Sequence, residues 1–163
     1  KHCLNIGASM VEEMNWLTPE GLEVDILEEI KKYNRQEIPI SIGTDSMIKG
    51  DKVTFASAIG FHSLEKNVGN YFFSKKRYNT SDFSNLYTRL GKEIMMTIDI
   101  AKYVKSKFPN AVIEVHVDIS DNPNNTSSII SDYAKAWNGY QEFSLKVKPN
   151  AWAASGCADW HTK

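Results

Sequence analysis

The run Ile38-Pro39-Ile40-Ser41-Ile42-Gly43-Thr44-Asp45-Ser46 decides how the rest of this chain is read. It opens as an apolar, β-branched stretch, the composition of a strand buried on both faces. It then turns polar at Gly43-Thr44-Asp45-Ser46. An aspartate at the last position of a buried strand is costly unless a cation, a donor or a cleft receives it. Val112-Ile113-Glu114-Val115-His116-Val117-Asp118-Ile119-Ser120 repeats the device, again with a carboxylate near its end. Two buried strands that bring carboxylates to one edge of a sheet suit a hard cation.

Working outward, residues 1–17 show no clear period and read as a loosely docked arm. Thr18-Pro19-Glu20 reads as a helix start, with Thr18 as N-cap and Pro19 in the first turn. Leu22, Ile26, Leu27 and Ile30 then recur at helical spacing, predicting an amphipathic helix from Pro19 to about Arg35, with Glu28 and Glu29 on its solvated face. After Ser46, Lys49-Gly50-Asp51-Lys52 is a hairpin turn. Val53 to Phe61 and Val68 to Tyr78 follow as strands, so three strands form an antiparallel meander. A long helix is expected from about Ser81 to Lys107, its stripe made of Leu86, Leu90, Ile94, Thr97, Ile98, Ala101 and Val104. The second carboxylate strand comes next, then a polar loop at Ser120–Asn125 and a helix from Thr126 to about Trp137. A fifth strand, Phe143–Lys148, stops at Pro149. A last helix capped by Asn150 runs to about Trp160.

At 163 residues the chain is most simply one globular unit able to bury roughly 70% of its unfolded surface. The division expected is an arm and helix over 1–37 and the main domain over 38–163. A net charge of -1 excludes any global pull on nucleic acid, so such binding needs a local basic patch. No apolar run reaches the ~18 residues of a membrane span. Cys3 and Cys157 lack metal-ligand spacing and fit a reduced, cytoplasmic protein. The chain starts at Lys1 rather than Met, which leaves room for sequence upstream, and Lys1–Ala8 carries no signal pattern.

Further carboxylates can join the two on the strands. On the long helix Glu93 flanks the buried stripe, whereas Asp99 falls roughly 160° from its centre and points to solvent. On the Val112–Ser120 strand, Glu114, His116 and Asp118 share one face and Val115, Val117 and Ile119 the other. His116 reads as a hydrogen-bonded sheet histidine rather than a ligand. In the last helix Trp152, Ser155, Gly156 and Asp159 fall on one face, and Asp159 is either a fourth inward carboxylate or an ordinary residue near a frayed end. Packed together, such carboxylates repel. Two divalent ions roughly 3.5–4 Å apart would remove that cost and create a phosphoryl-transfer centre. Oxygen-only ligands favour Mg²⁺ or Mn²⁺, two ions being expected with substrate.

Ile42-Gly43-Thr44-Asp45-Ser46, Tyr71 to Tyr78, Ile113 to Ser120, Lys148 to Ser155 and Ala158-Asp159-Trp160-His161-Thr162-Lys163 resemble the YkuK-type ribonuclease H-like family from about Ile38 to the end. The element order agrees. It predicts an α/β, ribonuclease H-like fold: a five-stranded mixed sheet of three antiparallel and two crossover strands, helices on both faces, plus the N-terminal helix. The resemblance implies metal-dependent cleavage of a nucleic-acid backbone. By position it makes Asp45, Glu93, Asp118 and Asp159 the catalytic and metal-binding carboxylates. The sequence departs from the family at Asp121, where a threonine-like residue is expected, which adds charge without removing a ligand.

Lys75-Lys76-Arg77 is the dense basic cluster, and Tyr71, Phe72, Phe73 and Tyr78 surround it. Lys75, Lys76, Arg77 and Tyr78 are the expected substrate contacts, since cations beside aromatics suit a phosphate backbone and stacked bases. Arg89 and Lys92 flank Glu93, and Lys146 and Lys148 end the fifth strand. The function expected is a Mg²⁺- or Mn²⁺-dependent nuclease, the alternative being a catalytically silent binding or assembly module on the same fold. An actin-like ATP-using relative would need a glycine-rich phosphate turn after Asp45, where Ser46-Met47-Ile48 stands instead.

Overall fold

The computed structural model describes residues 10–83, 85–119, 132, 135 and 143–163. Among the described residues seven strands form one mixed sheet in the order β2-β1-β5-β4-β3-β6-β7. They are β1 (Trp16–Leu17), β2 (Glu23–Val24), β3 (Ile40–Lys49), β4 (Lys52–Ser63), β5 (Val68–Asn79), β6 (Ile113–His116) and β7 (Ser144–Lys146). Among the described residues, α1 (Ile26–Asn34) and α2 (Leu86–Lys107) cover one face. The C-terminal helix, wound as a π-helix over Ala153–Ala158, covers the other. The expected helix at Thr126–Trp137, the loop at Ser120–Asn125 with Asp121, and residues Lys1–Ser9 with Cys3 fall outside the described residues.

The meander β3-β4-β5 and the parallel partners β6 and β7 stand where the sequence places them. The sheet has seven strands rather than five because the described part of the arm, from Met10 on, is docked. Val11 and Trp16 are buried in the main core. Leu17 pairs antiparallel with Phe73 on β5, and β2 turns back against β1. The helix expected from Pro19 starts later for the same reason. Thr18 N–H donates to Leu22 O and Gly21 N–H to Thr18 O, so Thr18–Leu22 closes a β-hairpin. Gly21 supplies the positive φ of 94° that this turn needs. Leu22 is left exposed. Asp25 is the true N-cap, its side chain accepting from Glu28 N–H at 3.4 Å. Helix α2 also starts later than expected. Thr80–Phe83 is a 3₁₀ turn, and Asn85 caps α2 by accepting from Thr88 N–H at 2.8 Å, so Leu86 is exposed rather than part of the stripe.

The core lies between the sheet and α1 and α2. Ile40, Ile42, Ile59, Phe61, Val115, Val117 and Ile119 meet Ile26, Ile30, Ile94, Ile98 and Ala101 there. On the opposite face the sheet offers small residues, Gly43, Ala56, Ala58 and Gly60, and the C-terminal helix packs close. A Cβ on Gly43 would lie 2.5 Å from Ala154 N, and one on Gly60 2.6 Å from the Trp152 ring. These two glycines admit the last helix onto the sheet.

Candidate functional site

Strand β3 does not stop at Asp45, as its sequence suggested. It runs on to Lys49 as one arm of the hairpin with β4. On its other side, however, pairing with β6 ends at Gly43↔His116. Asp45 therefore sits where the central strand loses its parallel neighbour, at the carboxyl end of the parallel strands, the usual place for a binding crevice in open α/β sheets. Asp118 follows just beyond the end of β6 on the same side. Ser46 faces α2, and its Oγ donates to Glu93 Oε1 at 2.6 Å. Asp159 comes from the C-terminal helix, and its carboxyl is hydrogen-bonded to that of Asp45. All four carboxylates thus converge at one end of the sheet. Among the described residues no three of them are already closed into a metal-holding cluster.

The electrostatics follow from burial and like charge. Asp45 is pushed up to about 7, first by burial, then by the hydrogen bond with Asp159 and by the charges of Asp118 and Asp159. Glu93 is 4% exposed. Burial raises its carboxyl well above the usual range, the charges of Asp45 and Asp118 adding to it, while Ser46 and Arg89 pull the other way. Asp118 Oδ1 is fully buried without a hydrogen bond. Lys148 Nζ approaches it to 3.2 Å as an ion pair, but not in hydrogen-bond alignment. A buried carboxylate oxygen with no aligned donor, beside carboxyls raised first by burial and then by like charge, is a donor set that fits a hard divalent cation.

His116 is satisfied without a metal. Its Nδ1 accepts from Ala153 N–H at 3.1 Å, which leaves Nε2–H to donate to Glu114 Oε1 at 3.1 Å. Burial lowers its pKa, so this contact is a hydrogen bond of the neutral ring rather than a salt bridge. Asp99 is half-buried rather than solvent-facing, and burial raises its pKa. The π winding also changes the last helix's faces. Asp159 N–H donates to Ala154 O, five residues back, and Ala153, Ala154 and Ala158 turn inward while Ser155 and Gly156 are exposed. Such π turns recur at functional sites.

The basic cluster is divided by strand alternation. Asp45, Ala56 and Lys75 are register partners across β3, β4 and β5, so Lys75 and Arg77 share the face of Asp45. Lys76 and Tyr78 take the α2 face, where the Tyr78 ring packs edge-on against Phe55 and Phe83 with Lys76 and Lys92 over it. Sequence reasoning missed the clamp on the C-terminal residues. His161 stacks on Phe73 at 3.5 Å between ring centroids, and its Nε2 lies 2.9 Å from Tyr71 Oη. Its own residue type gave no signal, because the partner lies in a distant strand.

A mixed sheet with carboxylates gathered at its crossover edge defines an α/β fold of the ribonuclease H-like kind. A family model described as Ribonuclease H-like matches residues 22–163. The chain belongs to the ribonuclease H-like family, whose members are associated with nucleic acids. No curated protein sequence matches the chain, and no solved structure does. Among the described residues no helix is long and apolar enough to cross a membrane.

Proposed function

We propose that this protein is a metal-dependent nuclease that hydrolyses phosphodiester bonds of nucleic acid. Asp45, Glu93, Asp118 and Asp159 would hold Mg²⁺ or Mn²⁺, with two ions engaged when substrate is present. The observation that carries the reading is the buried carboxylate set: Asp45 raised to about 7 beside Asp159, and a buried Asp118 oxygen that Lys148 approaches but no donor among the described residues bonds in alignment. Bound divalent ions supply Lewis acidity to the phosphate and a water acidic enough to attack at neutral pH. The chain's own residues prepare that state. Ser46 orients Glu93, Asp45 is held by burial in a proton-binding state that a cation would displace, and Lys148 balances Asp118 until then.

One test is a thermal melt with and without Mn²⁺, followed by cleavage assays on single- and double-stranded RNA and DNA. Saturation at a hundredfold over Kd stabilises a folded protein by roughly 2.7 kcal/mol. Wild type is expected to gain such a shift and to cleave, and Asp118→Asn to lose both. Neither shift nor cleavage in wild type would sink the reading.

The Asp118–Lys148 ion pair favours a second reading, because a lysine there neutralises the carboxylate without any ion. On that reading the protein is a silent ribonuclease H-like module that binds nucleic acid or assembles with partners. Nucleic-acid binding by wild type with no cleavage under Mn²⁺ or Mg²⁺ would decide for it.

A further inference from the structure

The face that carries Asp45 also carries an unbalanced set of cations. Lys49 and Lys52 stand directly opposite each other across the β3–β4 turn. Arg77 lies opposite Thr54, and Lys75 opposite Ala56. With Thr162 and Lys163 these side chains line a cleft of about 250 Å³. Like charges set directly opposite on adjacent strands are destabilising, and among the described residues no Asp or Glu lines this cleft. Among the described residues, none of Lys49, Lys52, Lys75 and Arg77 forms an ion pair. Their partners are weak ones: Lys52 Nζ donates to Asn79 Oδ1, and Lys75 lies over the Phe73 ring. A second cavity of about 440 Å³ shares Lys52 and Arg77 with it, and among the described residues Asp82 is its one acid.

At the other end the cleft reaches the carboxylates through a single side chain. Lys163 Nζ lies 3.9 Å from Asp159 and 5.6 Å from the centre of the Trp160 ring. Trp160 is 68% exposed, an indole left in water one residue after Asp159. The groove has the charge to follow phosphates, and the indole has an open face for a base. A duplex keeps its bases paired and stacked, so it offers this indole nothing. An unpaired base does.

We propose that the cleft carries the sugar–phosphate backbone of a single-stranded nucleic acid while Trp160 stacks on an unpaired base beside Asp159. This rests on the nucleic-acid reading above and adds strand state and path to it.

The test uses the full chain carrying Asp118→Asn, in EDTA, so that binding is read without cleavage. Fluorescence anisotropy follows a labelled single strand and the matched duplex across a salt series. The single strand is expected to bind more tightly. Lys52→Ala and Arg77→Ala should each flatten the slope of log affinity against log salt by about one. Lys31→Ala, on α1 across the sheet, keeps the full slope. Trp160→Ala should lose about tenfold in affinity, and Trp160→Phe should recover most of it. Lys31, Lys52, Arg77 and Trp160 are all exposed, and a melt of each variant, including the Asp118→Asn background, checks its fold. Equal affinity for duplex, an unchanged slope in the cleft variants, or inorganic polyphosphate competing identically against wild type and Trp160→Ala would overturn the proposal. Cleavage by wild type with binding indifferent to the cleft would leave the nuclease reading standing and remove this one. Binding that depends on the cleft, without cleavage under Mn²⁺, would do the reverse.

Discussion

Replacing Asp45 with asparagine should stabilise the metal-free protein, the opposite of what loss of a buried hydrogen-bonding residue normally does. The side chain is nearly buried, and its carboxyl is raised from 3.8 to about 7. Such a displacement corresponds to about 4 kcal/mol between the neutral and charged forms. The sign follows from proton binding. A carboxyl raised in the folded state contributes stability that is complete below about 4, declines as pH rises towards 7 and is gone above it. Asparagine is neutral throughout and can donate to Asp159, so it avoids the loss. In EDTA at pH near 8, Asp45→Asn should gain about 2–4 kcal/mol, or about 5–15 °C in Tm for a chain of this size. The gain should vanish near pH 4. With saturating Mn²⁺ the order should reverse, because wild type gains a ligand and the variant has lost a donor. Paired melts over pH, with EDTA and with Mn²⁺, check both halves. A variant that melts at or below wild type at pH 8 without metal would refute the account of Asp45 as strained by its neighbours.

Gly43→Ala places a methyl 2.5–2.8 Å from the backbone of Ala153 and Ala154, atoms that cannot swing aside. It should cost about 1–3 kcal/mol in a denaturant melt and, by lifting the helix that carries Asp159, weaken the Mn²⁺-induced shift. His161→Ala removes the stack on Phe73 and the Tyr71 contact. Amide exchange over residues 153–163 should accelerate while that of α2 stays unchanged. Lys148→Ala removes the cation that competes for Asp118. Lys148 is half-exposed, so the pair is worth at most about 1 kcal/mol, and Mn²⁺ affinity by calorimetry should rise by up to about fivefold.

Much of this was legible because each signal was local. The β-branched runs around Ile40 and Val115 carry their own period, and the angle of Glu93 from the helix stripe marked it as inward, although Asp99, read as solvent-facing by the same count, is half-buried. What escaped was set by contacts remote in the chain. Trp16–Leu17 and Glu23–Val24 are too short to show a period, and their strand character comes from pairing with Phe73 and with each other. Thr18-Pro19 has helix-start chemistry, but Gly21 two residues on commits it to a turn. Lys75-Lys76-Arg77 looks like one patch until strand alternation divides it, and only register shows that Lys49 and Lys52 belong with Lys75 and Arg77. The π turn, seated over Gly43, changes which residues of the last helix face inward, which no count of helical angles anticipates.

The carboxylates and the cations are better understood together than apart. Asp45 and Lys75 are two strand spacings apart in one register row, about 10 Å, close to the Debye length of about 8 Å at physiological salt. At that distance each set relieves the other only in part. Among the described residues neither obtains a counter-charge at contact distance apart from the pairs that Lys148 makes with Asp118 and Lys163 with Asp159. A fold that needed only stability would have interleaved these charges, as the exposed Lys32–Glu29 pair on α1 does. Keeping them sorted by sign, with the C-terminal residues fastened by His161 between the two, makes sense if both are completed by what binds. Cations would enter the acidic end, phosphates would lie along the basic one, and a single polyanion would span both.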